Sequence, residues 1–154
     1  MRIFARTAQD TEDFGAALAR AQPKGQALAV VYLAGDLGAG KTTLARGFLA
    51  ARGISAQIRS PTYALTEVYS LDDSTVVHAD LYRLKDPEEL ETLGLRDYAQ
   101  EGHVWLVEWP ERAGGHLPAA DLSLSLIVRD VGHVIALEAR SALGETWLAR
   151  LAVP

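Results

Sequence analysis

The chain has no cysteine among its 154 residues, which excludes disulfides and thiolate metal sites while saying little about compartment. Nothing in it approaches the run of about 18 apolar residues that a membrane span needs. The opening Met1-Arg2-Ile3-Phe4-Ala5-Arg6-Thr7 lacks the apolar core of a signal peptide. Basic residues are the minority, 15 against 20 acidic ones, for a net charge of −5. A protein that grips nucleic acid by itself normally shows a basic surface, so this balance argues against that class. Internal repeats and low-complexity segments are also missing. With 49% hydrophobic and 23% charged residues, the composition is that of an ordinary globular protein. A single domain over 1–154 is expected, burying about two-thirds of its unfolded surface around one core.

What is present is a complete phosphate-binding pattern. Gly35-Asp36-Leu37-Gly38-Ala39-Gly40-Lys41-Thr42 fits GxxxxGK(S/T) at every fixed position. An unbroken apolar run over 27–34 precedes it and suits a strand buried on both faces. The following residues put Leu44, Phe48 and Leu49 on one helical face, with Gly53 as the stop. Glycines let successive backbone N–H groups converge on a polyphosphate, and the helix adds the positive end of its dipole. Lys41 would reach the β- and γ-phosphates, and the Thr42 hydroxyl would bind Mg²⁺.

The rest of the pattern frames this loop. Residues 2–6 read as a short edge strand, and Thr7 with Asp10 reads as a capping box ahead of a helix over 8–21 with Phe14, Leu18 and Ala21 inward. Arg59-Ser60-Pro61-Thr62-Tyr63 is a polar loop, where a P-loop protein carries either a plain turn or the threonine that senses the γ-phosphate. Strands over 65–70 and 75–80 form a hairpin through Asp72-Asp73-Ser74, and alternation puts His78, Asp80 and Tyr82 on one side. His78 by itself reads best as a structural histidine. Asp86 caps the next helix with Pro87 at its first position, and Glu88, Glu89 and Glu91 serve solvation and capping. Gly94 closes that helix before another helical turn at 95–99.

His103-Val104-Trp105-Leu106-Val107-Glu108 is an apolar strand ending in a carboxylate, the form of the element that meets the Mg²⁺ shell in P-loop proteins. A mobile loop over 111–118 is expected from Gly114-Gly115, then an antiparallel hairpin of 121–129 and 133–139 at the sheet's edge. A helix over 144–151 would pack Trp147, Leu148 and Leu151 on the sheet. The fold class that follows is α/β: a three-layer P-loop NTPase-like domain with a mixed, mostly parallel central sheet.

In order along the chain, GDLGAGKTTLARGF, SPTYALTEVY, HADLYRLKDPEEL, LGLRDY and VEWPER resemble the TsaE (YjeE) family. These are small bacterial ATPases of the tRNA threonylcarbamoyladenosine machinery. The resemblance runs from about Thr11 to the last helix and is densest between Gly35 and Pro110. It implies an ATP- and Mg²⁺-dependent ATPase acting on a complex of two other subunits, one carrying the transferase site and one related to it without that activity. Its turnover is needed for repeated modification of the adenosine next to the anticodon, with tRNA reached only indirectly. By residue, the resemblance assigns Gly38, Ala39, Gly40, Lys41, Thr42 and Thr43 to the phosphates and Thr42 with Glu108 to Mg²⁺. It gives Thr62 to a switch-like loop, Asp80 and Trp109 to the neighbourhood of the γ-phosphate, and Thr11 to the base. The chain departs from the pattern at Gly132-His133, where many members carry arginine after the glycine. ATP chemistry with no export signal makes the cytoplasm the expected compartment. Two rivals stand beside this reading, a small-molecule kinase and a nucleotide-dependent binding module. Arg83, Arg96 and Arg112 are too scattered in sequence to mark the acceptor pocket that a kinase needs.

Overall fold

The computed structural model describes residues 1–25, 27–54 and 65–151. In chain order these form β1 (Arg2–Ala5), α1 (Ala8–Ala21), β2 (Ala29–Gly35), α2 (Lys41–Ala51), β3 (Thr66–Ser70), β4 (Thr75–Asp80), α3 (Glu89–Thr92), β5 (His103–Glu108), β6 (Leu122–Val128), β7 (His133–Ala139) and α4 (Ala142–Arg150). Short 3₁₀ turns occupy Leu95–Tyr98 and Pro110–Ala113. The proposed switch threonine, Thr62, lies outside the described residues.

The strands make one seven-stranded sheet in the order β1-β7-β6-β2-β5-β4-β3, with β2 at its centre. β2 pairs in parallel with β5 and β6, and β5 in parallel with β4. β3, β7 and β1 add antiparallel pairings toward the margins. This is the expected mixed three-layer sheet, parallel in the middle. Side chains alternate across it. Val31, Leu33, Leu106, Leu122, Leu124 and Leu126 meet Phe14, Leu18, Leu44, Phe48 and Trp147 from the helices on one face. Val30, Val77, Trp105 and Val107 meet Leu81, Leu84, Leu90, Leu95 and Ala113 on the other. That second layer covers only the β2-β5-β4 half, and Phe4 and Ile127 are left exposed beyond it.

Local signals decide where the helices begin. Thr7 and Asp10 form the capping box of α1: the Thr7 hydroxyl accepts from Asp10 N at 3.1 Å, and the Asp10 carboxylate accepts from Thr7 N at 3.0 Å. Asp86 is not the helix cap expected: it accepts from Glu88 N at 3.0 Å in the preceding turn, while α3 starts at Glu89 with Glu88 as its N-cap and no side-chain capping bond. α4 begins earlier than expected because Ser141 is its cap, accepting from Gly144 N at 3.1 Å and donating to Asp121 at 2.6 Å.

Two further expectations are corrected. The β6–β7 hairpin is not at the sheet's edge, since β6 lies against β2 and β1 adds itself outside β7. Residues 111–118 are not simply a loop. Pro110–Ala113 is a 3₁₀ turn with Ala113 buried, and the Tyr32 hydroxyl donates to the Pro118 carbonyl at 2.5 Å, so a helical turn opens the stretch and a hydrogen bond ties its end.

α1 and α2 pack through two glycines that no periodicity singles out. A Cβ on Gly15 would sit 2.1 Å from the Leu44 carbonyl oxygen, and one on Gly47 would sit 1.9 Å from that of Glu12. Either methyl must force the helices apart, at a cost of about 1–3 kcal/mol for an overpacked site. Gly47→Ala is therefore expected to lower the thermal midpoint by several degrees, at roughly 2–4 °C per kcal/mol for this size. An unchanged midpoint in thermal denaturation followed by circular dichroism would contradict that packing.

Candidate nucleotide site

β2 ends at Gly35, where the chain must turn beneath β6. A Cβ on Gly35 would lie 2.5 Å from the Leu126 carbonyl oxygen, so no other residue passes there. Gly40 caps α2 at φ 102°, in the region that favours glycine, so the helix can start directly at Lys41. The amides of its first turn then open toward a cavity of about 430 Å³, within the size range of ligand sites. Leu37, Gly38, Gly40, Lys41, Thr42, Thr43, Asp80, Tyr82, Arg83, Glu108 and Trp109 line it.

Lys41 is only 4% exposed. Its ammonium donates to the carbonyls of Gly35 at 2.6 Å and Asp36 at 2.8 Å, and it lies 4.3 Å from the centre of the Trp109 ring. Burial pushes its pKa below the usual lysine value, an effect that the carboxylates of Glu108, Asp80, Glu111 and Asp36 oppose. Trp109 is one of two described non-glycine residues at positive φ, at 58°. Held there by its amide, which donates to the Leu33 carbonyl at 3.2 Å, the indole covers the lysine. Tyr82 packs against it at 5.0 Å between ring centres.

Glu108 is 2% exposed, with both carboxylate oxygens engaged. Thr42 Oγ1 donates to Oε1 at 2.8 Å, and His78 Nε2 lies 2.6 Å from Oε2. The parallel register of β4 and β5 sets Asp80 opposite Glu108, so the two carboxylates end adjacent strands. Asp80 Oδ1 accepts from the Tyr82 amide at 3.0 Å. The imidazole read from alternation as a neighbour of Asp80 thus has Glu108 as its hydrogen-bond partner. Only the inter-strand register could have revealed that.

Of the residues assigned from sequence, Gly38, Gly40, Lys41, Thr42, Thr43, Asp80, Glu108 and Trp109 converge on the cavity. Ala39 is fully buried beneath the loop. Thr11 is 1% exposed in α1, its hydroxyl 3.4 Å from the Thr7 carbonyl, and its methyl borders Gly40, so it abuts the loop without lining the cavity. His133 starts β7, paired with Ala5 and Val128, and is also outside the lining. Tyr82 and Arg83 line the cavity as well, and sequence reasoning missed Leu37 there. It also treated Arg83 and Arg112 as too scattered to cluster, yet Arg83 lines the cavity while Arg112 stands 5.5 Å from the Tyr82 ring and 5.6 Å from Trp109. Arg96 is elsewhere, bonded to Glu91 at 2.8 Å.

A parallel-centred α/β sheet whose middle strand runs into a glycine loop and helix, with a buried carboxylate at the end of the adjacent strand, defines a P-loop protein. A family model described as threonylcarbamoyl adenosine biosynthesis protein TsaE matches residues 5–135. Among curated relatives, the tRNA threonylcarbamoyladenosine biosynthesis protein TsaE of Haemophilus influenzae is 47% identical over 120 residues, 78% of this chain and 76% of that protein. The protein of that name from Treponema pallidum is 37% identical over 128 residues, 83% of this chain and 92% of its own. The crystal structure of YdiB from Bacillus subtilis superposes with a TM-score of 0.80 at 26% identity, covering 98% of this chain and 93% of that one. The chain belongs to the TsaE family.

Burial of the Lys41 ammonium beside carbonyls and an indole carries a desolvation cost. Lys41→Met keeps the stem and removes the charge, so its thermal midpoint without nucleotide is expected to be no lower than the parent's. Scanning calorimetry checks this, and a drop of several degrees would show that the two carbonyl bonds outweigh the desolvation.

Proposed function

We propose that this protein hydrolyses ATP with Mg²⁺ as the ATPase subunit of tRNA threonylcarbamoyladenosine biosynthesis. It acts in the cytoplasm on a complex of two other subunits and reaches tRNA only through them. The observation that carries the reading is the Thr42 to Glu108 hydrogen bond of 2.8 Å at the start of a helix after a glycine loop, beside buried Lys41. A hydroxyl and a carboxylate are hard oxygen donors that suit Mg²⁺, which keeps waters and phosphate oxygens as its remaining ligands. Among the described residues no group of three or more His, Cys, Asp and Glu could hold a metal alone, in keeping with an ion that arrives with its nucleotide. When bound, Mg²⁺ neutralises phosphate charge as the transferred group leaves.

The chain's own residues supply position and charge. Gly38, Ala39, Gly40, Thr43 and the first turn of α2 present amides to the phosphates, with Thr11 close to the base. Lys41 exchanges its two carbonyl partners for phosphate oxygens. Asp80, at the cavity wall, orients the attacking water, and Trp109 shields the γ-phosphate end. Thr62 senses that phosphate by the family pattern. Membership of this family, together with the adjacency of Asp80 and Glu108, favours this reading over a small-molecule kinase.

Lys41→Met should weaken ATP binding about 10- to 100-fold, the worth of a charge-assisted hydrogen bond of about 1.5–3 kcal/mol. Glu108→Ala should raise the Mg²⁺ concentration needed for phosphate release, whereas Asp80→Ala should lower turnover with ATP still bound. Equal loss of nucleotide binding in the two carboxylate variants would overturn the division of roles. At physiological salt the isolated chain should show negligible tRNA affinity, as its charge of −5 requires, and should bind the transferase complex more tightly with a non-hydrolysable ATP analogue present. Strong tRNA binding by the chain alone, or partner binding indifferent to nucleotide, would contradict the proposal.

A further inference from the structure

His78 is fully buried on β4, a strand flanked by β3 and β5, where a histidine with no task is expected to have both ring nitrogens satisfied. Only one is. Nε2 lies 2.6 Å from Glu108 Oε2, while Nδ1 is buried without a hydrogen-bond partner among the described residues. A bare Nδ1 and a carboxylate facing Nε2 define the tautomer, with the proton on Nε2 and donated to Glu108.

The consequence falls on Glu108. The last torsion of a glutamate is broad and roughly two-fold, so the bond from Thr42 to Oε1 sets the carboxylate plane less firmly than donors on both oxygens do. A second donor on Oε2, from a ring that packing holds still, fixes the plane. We propose that His78 is the positioning residue for the metal ligand: by holding Oε2 it keeps Oε1 turned toward Thr42 and the place of Mg²⁺. This rests on the Mg²⁺ reading of Thr42 and Glu108 given above. It follows the general behaviour of outer partners of metal ligands, whose loss costs about 10- to 100-fold in metal affinity.

Two amide variants separate positioning from filling. In His78→Gln the side-chain amide reaches the place of Nε2, and in His78→Asn only that of Nδ1. Each full-length variant, loaded with a non-hydrolysable ATP analogue, is titrated with Mn²⁺, and free Mn²⁺ is read by electron paramagnetic resonance. His78→Asn should bind Mn²⁺ about 10- to 100-fold more weakly, and His78→Gln within about threefold of the parent. Nucleotide affinity without divalent ion should stay at the parent's value in both. Should His78→Asn fail to fold, His78→Phe, which keeps a ring and lacks a donor, carries the same expectation. Parent-like Mn²⁺ affinity in the donor-less variant, equal weakening in Gln and Asn, or parallel loss of metal-free nucleotide binding would each overturn the proposal. Glu108→Gln is the control. If it too leaves Mn²⁺ affinity unchanged, the metal reading falls together with this inference, whereas weak Mn²⁺ binding there with no effect at His78 overturns only the role of His78.

Discussion

Parallel pairing of β2 with β5, in the register that sets Leu33 opposite Glu108, brings two distant segments to one point. One strand leaves its carboxyl end as the glycine loop, and the other ends in a carboxylate, so Thr42 can bond across 66 positions of sequence. Parallel strands need a crossover between them, and here those crossovers supply the covering layers. The segment from β2 to β5 contains α2, the β3–β4 hairpin and α3. It therefore delivers Asp80 one strand further along, opposite Glu108. A one-residue slip in either pairing would turn Glu108 to the other face and separate it from Thr42 and His78.

That convergence places charge where water is scarce. Lys41, His78 and Glu108 are all buried, and each is a kind of group seldom found inside without partners. Their hydrogen bonds to backbone carbonyls, to Thr42 and to one another satisfy most of the demand, but the Nδ1 of His78 has no partner among the described residues and Lys41 keeps a lowered pKa. A core assembled for stability alone would fill the same space with apolar residues. The helix layer around Trp147 is apolar by contrast, and there the indole donates to the Leu18 carbonyl at 2.8 Å and joins α4 to α1.

Sequence and structure agree where the information is local. The glycine loop, the Thr7 capping box, the turn residues before Thr75 and the apolar run ending in Glu108 each depend on a few neighbouring residues, and each forms as read. Disagreement begins where contact crosses the sheet. Alternation assigns His78 a side but not a partner, because the partner depends on which strand lies beside β4 and in what register. Nor does helical periodicity show that Gly15 and Gly47 let two helices touch. β1 takes the edge as read, but its partner β7 lies nearly the whole chain away, and no turn chemistry announces that pairing. Family resemblance covered part of this gap by naming Asp80, Glu108 and Trp109 together, although it gave no reason for His78.

Net charge and local charge act here over different distances. A total of −5 governs what the protein attracts from beyond a Debye length of about 8 Å. At the cavity cations are gathered beside carboxylates: Lys41 and Arg83 share its wall with Asp80 and Glu108, and Arg112 stands over the two rings that border it. Those cations act within a few ångströms, in surroundings that screen them less than bulk water does. A compact polyphosphate presents dense negative charge to that one spot and can use it fully. Under the proposed function, an extended polyanion such as tRNA gains little from so local a set of cations on a chain of net charge −5.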